Sequence, residues 1–216
     1  MTNAPEITAG AVLIADRLSY AHPGHPDQPV FQDWSAAFHP GVTLIRGGDG
    51  SGKSTLLRLL AGTLTGTGRL EANGINLSQQ PDAYRQQVTW CEPGTESFDA
   101  MTGQAYFELL QRIHPTFDQT LALQHVEDFS LTPHWGKPLY QLSTGSKRKV
   151  WLAGSLASGA PVTLLDDPTA ALDSPSIRYL MHTLETFSHQ PSRAWIVTGY
   201  EAPAALPLRA VIDLPA

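Results

Sequence analysis

Two kinds of apolar run alternate along the 216-residue chain. Short, dense runs bounded by turn residues read as buried strands: Val42-Thr43-Leu44-Ile45, Val88-Thr89-Trp90-Cys91 and Val162-Thr163-Leu164-Leu165; residues 194–198 and 210–214 read as the closing strands. Between them, apolar residues fall at helical spacing. Helices are predicted over residues 54–60, 102–113, 117–129, 143–158 and from 174 through Leu184. Thr102 is the candidate cap of the second, and His114-Pro115 ends it. Ser174-Pro175 reads as a cap followed by proline at the first helical position.

The first forty residues break this alternation. Val12, Leu13, Ile14, Leu18 and Tyr20 mix with polar neighbours, as in one or two strands. His22 to Asp27 is turn chemistry, and residues 30–38 read as a strand pair. Residues 68–72 with Asn73-Gly74 predict a strand and a tight turn. Residues 83–87 predict a short helical turn. Strand–helix alternation implies an α/β fold with a mostly parallel sheet, preceded by an antiparallel β part. Residues 95–140 form a small helical subdomain in this reading, and the whole chain, 1–216, forms one domain.

The stretch between strand 42–45 and helix 54–60 changes the picture from fold to chemistry. Gly47-Gly48-Asp49-Gly50-Ser51-Gly52-Lys53-Ser54-Thr55 fits G-x-x-x-x-G-K-[ST]. Glycines let the backbone come close to an anion, and successive N–H groups converge into a nest. The helix that follows points its positive end at the same place. Lys53 adds a mobile charge for β- and γ-phosphates, and the Ser54 hydroxyl is placed for Mg²⁺. The strand before and the helix after make this a P-loop NTPase core.

Composition then removes other classes. Apolar residues make up 42% and charged residues 16%, as in a globular protein. The formal charge is −6, with no block of five like charges, which argues against nucleic acid as partner. The single cysteine, Cys91, reads as a small buried hydrophobe in a reducing cytosol. No apolar stretch reaches spanning length, and the first residues carry no signal core. His114, His125 and His134 lack metal-ligand spacing and read as surface or packing residues.

Two more pieces complete a nucleotide site. Strand 162–165 ends in Asp166-Asp167-Pro168, at the carboxyl edge where ligands bind in open α/β sheets. A hard oxygen there holds Mg²⁺, and Asp167 comes next to orient water. Leu142-Ser143-Thr144-Gly145-Ser146 opens a helix 20 residues before the Asp166 strand end. Alone it is an N-cap; beside a phosphate loop it is a second phosphate receptor. Two receptors in one chain suggest that two chains close on one nucleotide.

Phosphate loop, LSTGS, LLDDP and Ala171-Leu172-Asp173, in that order, resemble the nucleotide-binding subunit of ATP-binding-cassette (ABC) transporters over roughly residues 10–213. The resemblance implies that Tyr20 stacks on adenine and that residues 47–55 hold the phosphates. It implies that Ser143, Thr144 and Gly145 reach the nucleotide of a second subunit, in a homodimer or heterodimer. Asp167 and Glu92 take the catalytic positions, and Ser54, Asp166 and Glu92 the metal positions. Asp173 couples the two sites. By the same resemblance the 95–140 subdomain is expected to dock on an integral membrane transporter subunit, with the chain in the cytoplasm, peripheral to the inner face of the membrane. Residues 90–94 resemble the haem-exporter type of cytochrome c maturation, and residues 114–118 the cassettes of two-component exporters.

Departures from the family pattern fall on hydrolysis. Glu92 replaces glutamine, Asp167 replaces glutamate, and Gly199 stands where histidine is usual, followed by Tyr200. Thr144 and Ser146 replace glycine and glutamine in the signature. Two readings follow: a slowly hydrolysing transporter ATPase, or a degenerate ATP-binding module that does not turn over and acts as a clamp or as the inactive half of a heterodimer.

Overall fold

The computed structural model describes residues 9–90, 92, 94–203 and 206–215. Cys91 lies outside them. Strands β1 (Leu13–Ala21), β2 (Pro29–Phe38), β3 (Gly41–Arg46), β4 (Thr67–Ala72), β5 (Ile75–Asn76), β6 (Val88–Trp90), β7 (Val162–Leu165), β8 (Ala194–Gly199) and β9 (Leu208–Asp213) form two sheets. One is five-stranded and parallel, in the order β6-β7-β8-β3-β9. The other is antiparallel, in the order β2-β1-β4-β5.

Three of the apolar runs became the central strands, while β6 and the largely exposed β9 form the edges. β3, β7 and β8 are buried on both faces, as a covered parallel sheet requires. The mixed pattern near the N-terminus has a local cause. Arg17 on β1 and Asp33 on β2 take positive φ, 51° and 48°, and the β1–β2 register shifts around them. Such bulges break the two-residue alternation. Each of residues 11–20 and 30–38 is therefore one bulged strand, and the pair expected within 30–38 does not form. Asn73 and Gly74, both at positive φ, turn β4 into β5.

Among the described residues, six α-helices cover the sheets: α1 (Lys53–Leu60), α2 (Pro81–Gln87), α3 (Gly103–Ile113), α4 (Gln119–Asp128), α5 (Thr144–Ala157) and α6 (Ser174–Phe187). Helix α1 buries Leu56, Leu57, Leu59 and Leu60 against both sheets, which fixes the phosphate loop at its start. Helices α3 and α4 pack on α5 through Phe107, Leu110, Val126 and Phe129. Thr102 caps α3 by accepting from the Ala105 N–H, as expected. The cap of α6 is Asp173 rather than Ser174. Its carboxylate accepts from the Ser176 N–H at 2.9 Å, which moves Pro175 to the second helical position. His114 and His125 are packing residues, buried against Thr89 and Tyr179 respectively.

Candidate nucleotide site

Strand β3 delivers the chain into the loop 47–52, and α1 leaves it. Gly52 is the N-cap of α1 at φ 88°, and a Cβ there would sit 2.8 Å from Val30 Cγ1. Only glycine meets both conditions. It also offers no side-chain cap, so the first amides of α1 stay available to an anion.

Asp49, Gly50, Ser51, Gly52, Lys53, Ser54 and Thr55 line a cavity of about 630 Å³. Gly47 and Gly48 are outside the lining and are tied to it through their carbonyls, which accept from Lys53 Nζ at 2.7 Å each. Asp166 and Asp167 line the cavity as well. Their placement depends on Thr198, buried near the end of β8. Its hydroxyl donates to Asp166 Oδ1 at 2.6 Å and accepts from the Asp167 N–H at 2.9 Å. Asp167 is held at φ 40°, a conformation that costs energy for a non-glycine residue and clusters at functional sites.

Arg148 and His22 line the cavity and are among those not singled out from sequence as site residues. Arg148, on the first turns of α5, donates to the backbone carbonyls of Asp166 and Asp167. The missed signal was Lys147-Arg148-Lys149 at a helix N-terminus, where cations oppose the dipole. Each is compensated: Lys147 pairs with Asp99 at 2.7 Å and Lys149 with Asp173 at 2.6 Å. Lys149 and the cap contacts hold the Asp173 carboxyl well below the usual range. His22 is the second. It lines the cavity with His25, Gln28 and Val30, while Tyr20 is outside the lining. The Tyr20 hydroxyl meets His22 Nδ1 at 3.3 Å, with the rings edge to face.

The structure does not bring the remaining expected residues to this cavity. Glu92 is exposed and pairs with Arg58 at 3.5 Å. Ser143 caps α5 by accepting from the Ser146 N–H, and Ser143 and Thr144 are exposed, away from the cavity lining. Gly145 packs against the loop before Asp173, where a Cβ would lie 2.5 Å from the Ala171 carbonyl oxygen.

Residues 31–170 match the family model described as ABC transporter. The chain belongs to the family of ABC transporter ATP-binding subunits. It is 33% identical over 211 residues to the cytochrome c biogenesis ATP-binding export protein CcmA of Xylella fastidiosa, covering 96% of this chain and 93% of that relative. It is 28% identical over 182 residues to ATP-binding cassette sub-family A member 7 of Rattus norvegicus, where it covers 82% of this chain but only 8% of the relative. An ATP-binding subunit of an ABC transporter superposes with a TM-score of 0.75 at 20% identity, over 87% of this chain and 79% of that one. An ABC transporter ATP-binding protein from Pyrococcus furiosus superposes at 0.73 and 20% identity, over 94% and 96%. The fold of this ABC subunit is thus the mixed α/β core with one parallel and one antiparallel sheet. Among the described residues, no helix is long and apolar enough to cross a membrane.

Proposed function

We propose that this ABC subunit binds ATP with Mg²⁺, closes as a dimer around it, and hydrolyses it slowly to drive a separate membrane subunit in export. The observation that carries the reading is convergence. The loop before α1, the end of β7 and the start of α5 deliver Lys53, Ser54, Asp166, Asp167 and Arg148 to one cavity. Near-full-length likeness to a protein named as an export ATPase supports the direction, and supports turnover over the non-hydrolysing clamp. Attachment to the inner face of the membrane follows from that partner.

Lys53 and the loop amides hold the phosphates in this reading. The Ser54 hydroxyl and the Asp166 carboxylate are oxygen donors lining one cavity, which fits a hard cation. Among the described residues no cluster of three or more His, Cys, Asp or Glu could hold a metal alone, so phosphate oxygens and water complete the set. Mg²⁺ there neutralises charge on the phosphates. Asp167 is placed to orient a water molecule. Gly199 offers no side chain to assist it, so turnover is slow. Glu92 has no place in the cavity to help. For the base, His22 supplies the ring and Tyr20 holds it from behind.

Ser143 and Thr144 are exposed at the start of α5 with Gly145 beside them, as a receptor for a second subunit's nucleotide would be. Calorimetry on Lys53→Ala tests the binding step: a fall of about 1–3 kcal/mol in ATP affinity is expected from losing a charge-assisted contact. Light scattering on Asp167→Asn tests the dimer. Its mass should double with ATP and Mg²⁺, because only the dimer buries the nucleotide. Unchanged affinity in the first removes the phosphate-loop assignment, and one mass throughout in the second removes the dimer.

A further inference from the structure

Tyr200 enters the phosphate site directly after β8. Its ring lies over the Lys53 ammonium, 4.7 Å from Nζ to the ring centroid. Its hydroxyl donates to the Asp49 carboxylate at the tip of the phosphate loop. Asp49, Lys53 and Tyr200 all line the nucleotide cavity.

An ammonium has three N–H groups. Two of those on Lys53 point to the carbonyls of Gly47 and Gly48. The Tyr200 ring lies against the same ammonium. Asp49 otherwise makes little sense here, since it puts a negative charge on a loop built to receive anions. Bonded to Tyr200, its carboxylate anchors the ring over the lysine.

We infer that Tyr200 and Asp49 form a latch that closes the phosphate loop when no nucleotide is bound, and that a nucleoside di- or triphosphate opens it by replacing the ring on Lys53. The inference rests on the nucleotide-binding reading above. A phosphate oxygen is a far stronger partner for an ammonium than a π-face. The incoming phosphates also repel the Asp49 carboxylate, which loosens the anchor as they arrive. The ring is free to leave, because Tyr200 is 54% exposed. The hydrogen bond to Asp49, and the charges of Asp49 and Asp167, push the phenol pKa up, so the donor persists at neutral pH.

A latch lowers apparent affinity by the fraction of molecules in which it is open. Calorimetric titration with ATP and with ADP, each with Mg²⁺, should therefore show Tyr200→Ala binding both nucleotides about 3- to 10-fold more tightly than wild type, for a latch closed in most molecules. Tyr200→Phe keeps the ring and loses the anchor, so it should fall between the two. In an Asp49→Ala background, Tyr200→Phe should have no further effect, because the bond it removes is already gone. A residue that merely supports the fold would weaken binding when truncated and would show no such dependence on Asp49. Wild type that binds nucleotide, with Tyr200→Ala binding equally or more weakly, overturns the latch alone. Wild type that binds no nucleotide overturns the nucleotide reading and the latch with it.

Discussion

The hydroxyl of Thr198 on β8 is hydrogen-bonded to Asp166, the first residue after β7, at 2.6 Å. The same oxygen accepts the Asp167 N–H. One buried hydroxyl thus sets the position of one carboxylate and the backbone of the next. Thr198→Val keeps the shape and removes both bonds. Stability should fall by about 1–3 kcal/mol, the cost of leaving buried polar groups unpaired. Phosphate release should fall by at least about tenfold, since catalytic placement is sensitive on a scale of ~1 Å. ATP affinity should change much less, and Thr198→Ser should restore turnover. Equal losses in affinity and turnover would show that Thr198 supports binding and not the placement of Asp167.

Gly145 and Ala171 tie the start of α5 to the loop before α6. A methyl group at 145 would overlap the Ala171 carbonyl oxygen at 2.5 Å, and that oxygen belongs to backbone. Gly145→Ala must therefore shift one segment against the other. We expect ATP-dependent dimerisation to weaken while ATP affinity of the monomer stays within about twofold, because the cavity is not lined by either residue. Light scattering and calorimetry on the same preparation decide it.

Gly199 and Asp167 together predict a slow enzyme. Position 199 is not at a positive φ, and a Cβ there meets nothing closer than Leu44 Cδ1 at 3.6 Å, so a larger residue is tolerated at its root. Gly199→His with Asp167→Glu should raise steady-state phosphate release at saturating ATP, by up to the 10²–10³-fold range that one preorganised group typically contributes. A brisk wild-type rate of several turnovers per second would mean that another group in the cavity already does this work; Arg148 is then the first to test.

Acid should destabilise the protein through its buried histidines. Burial holds the His125 pKa down to about 4, and pushes that of His114 down as well. Unfolding releases His125 to its ordinary value near 6.5, so between those pH values the unfolded chain binds the extra proton. Its contribution is complete above the unfolded pKa and falls as pH drops from about 6.5 towards 4. By pH 5 the loss from His125 is about 2 kcal/mol, or roughly 4–8 °C in Tm for a chain of this size. His125→Gln should flatten this part of the Tm–pH curve.

Local order along the chain was enough for much of this protein. Apolar run length separated the parallel strands from the helices because a covered strand needs both faces apolar, whereas a helix needs only a stripe. The phosphate loop was legible because backbone amides, glycines and one lysine are contiguous: the site is made of neighbours. Caps such as Thr102 and Ser143 were legible for the same reason.

What depends on distance was settled only by the fold. β1 and β2 read ambiguously because their bulges are fixed by cross-strand partners, Ser35 for the Arg17 N–H and Ser19 for the Asp33 N–H. Tyr20 and His22 are two residues apart on one strand end, and sequence gives no rule for which ring meets the cavity. Arg148, Thr198 and Tyr200 lie 18 to 151 residues from the groups they hold. A hydrogen bond across that span has no local signature. It exists because the parallel order β7-β8-β3 sets three strand ends side by side, and the chain's chemistry is concentrated at that edge.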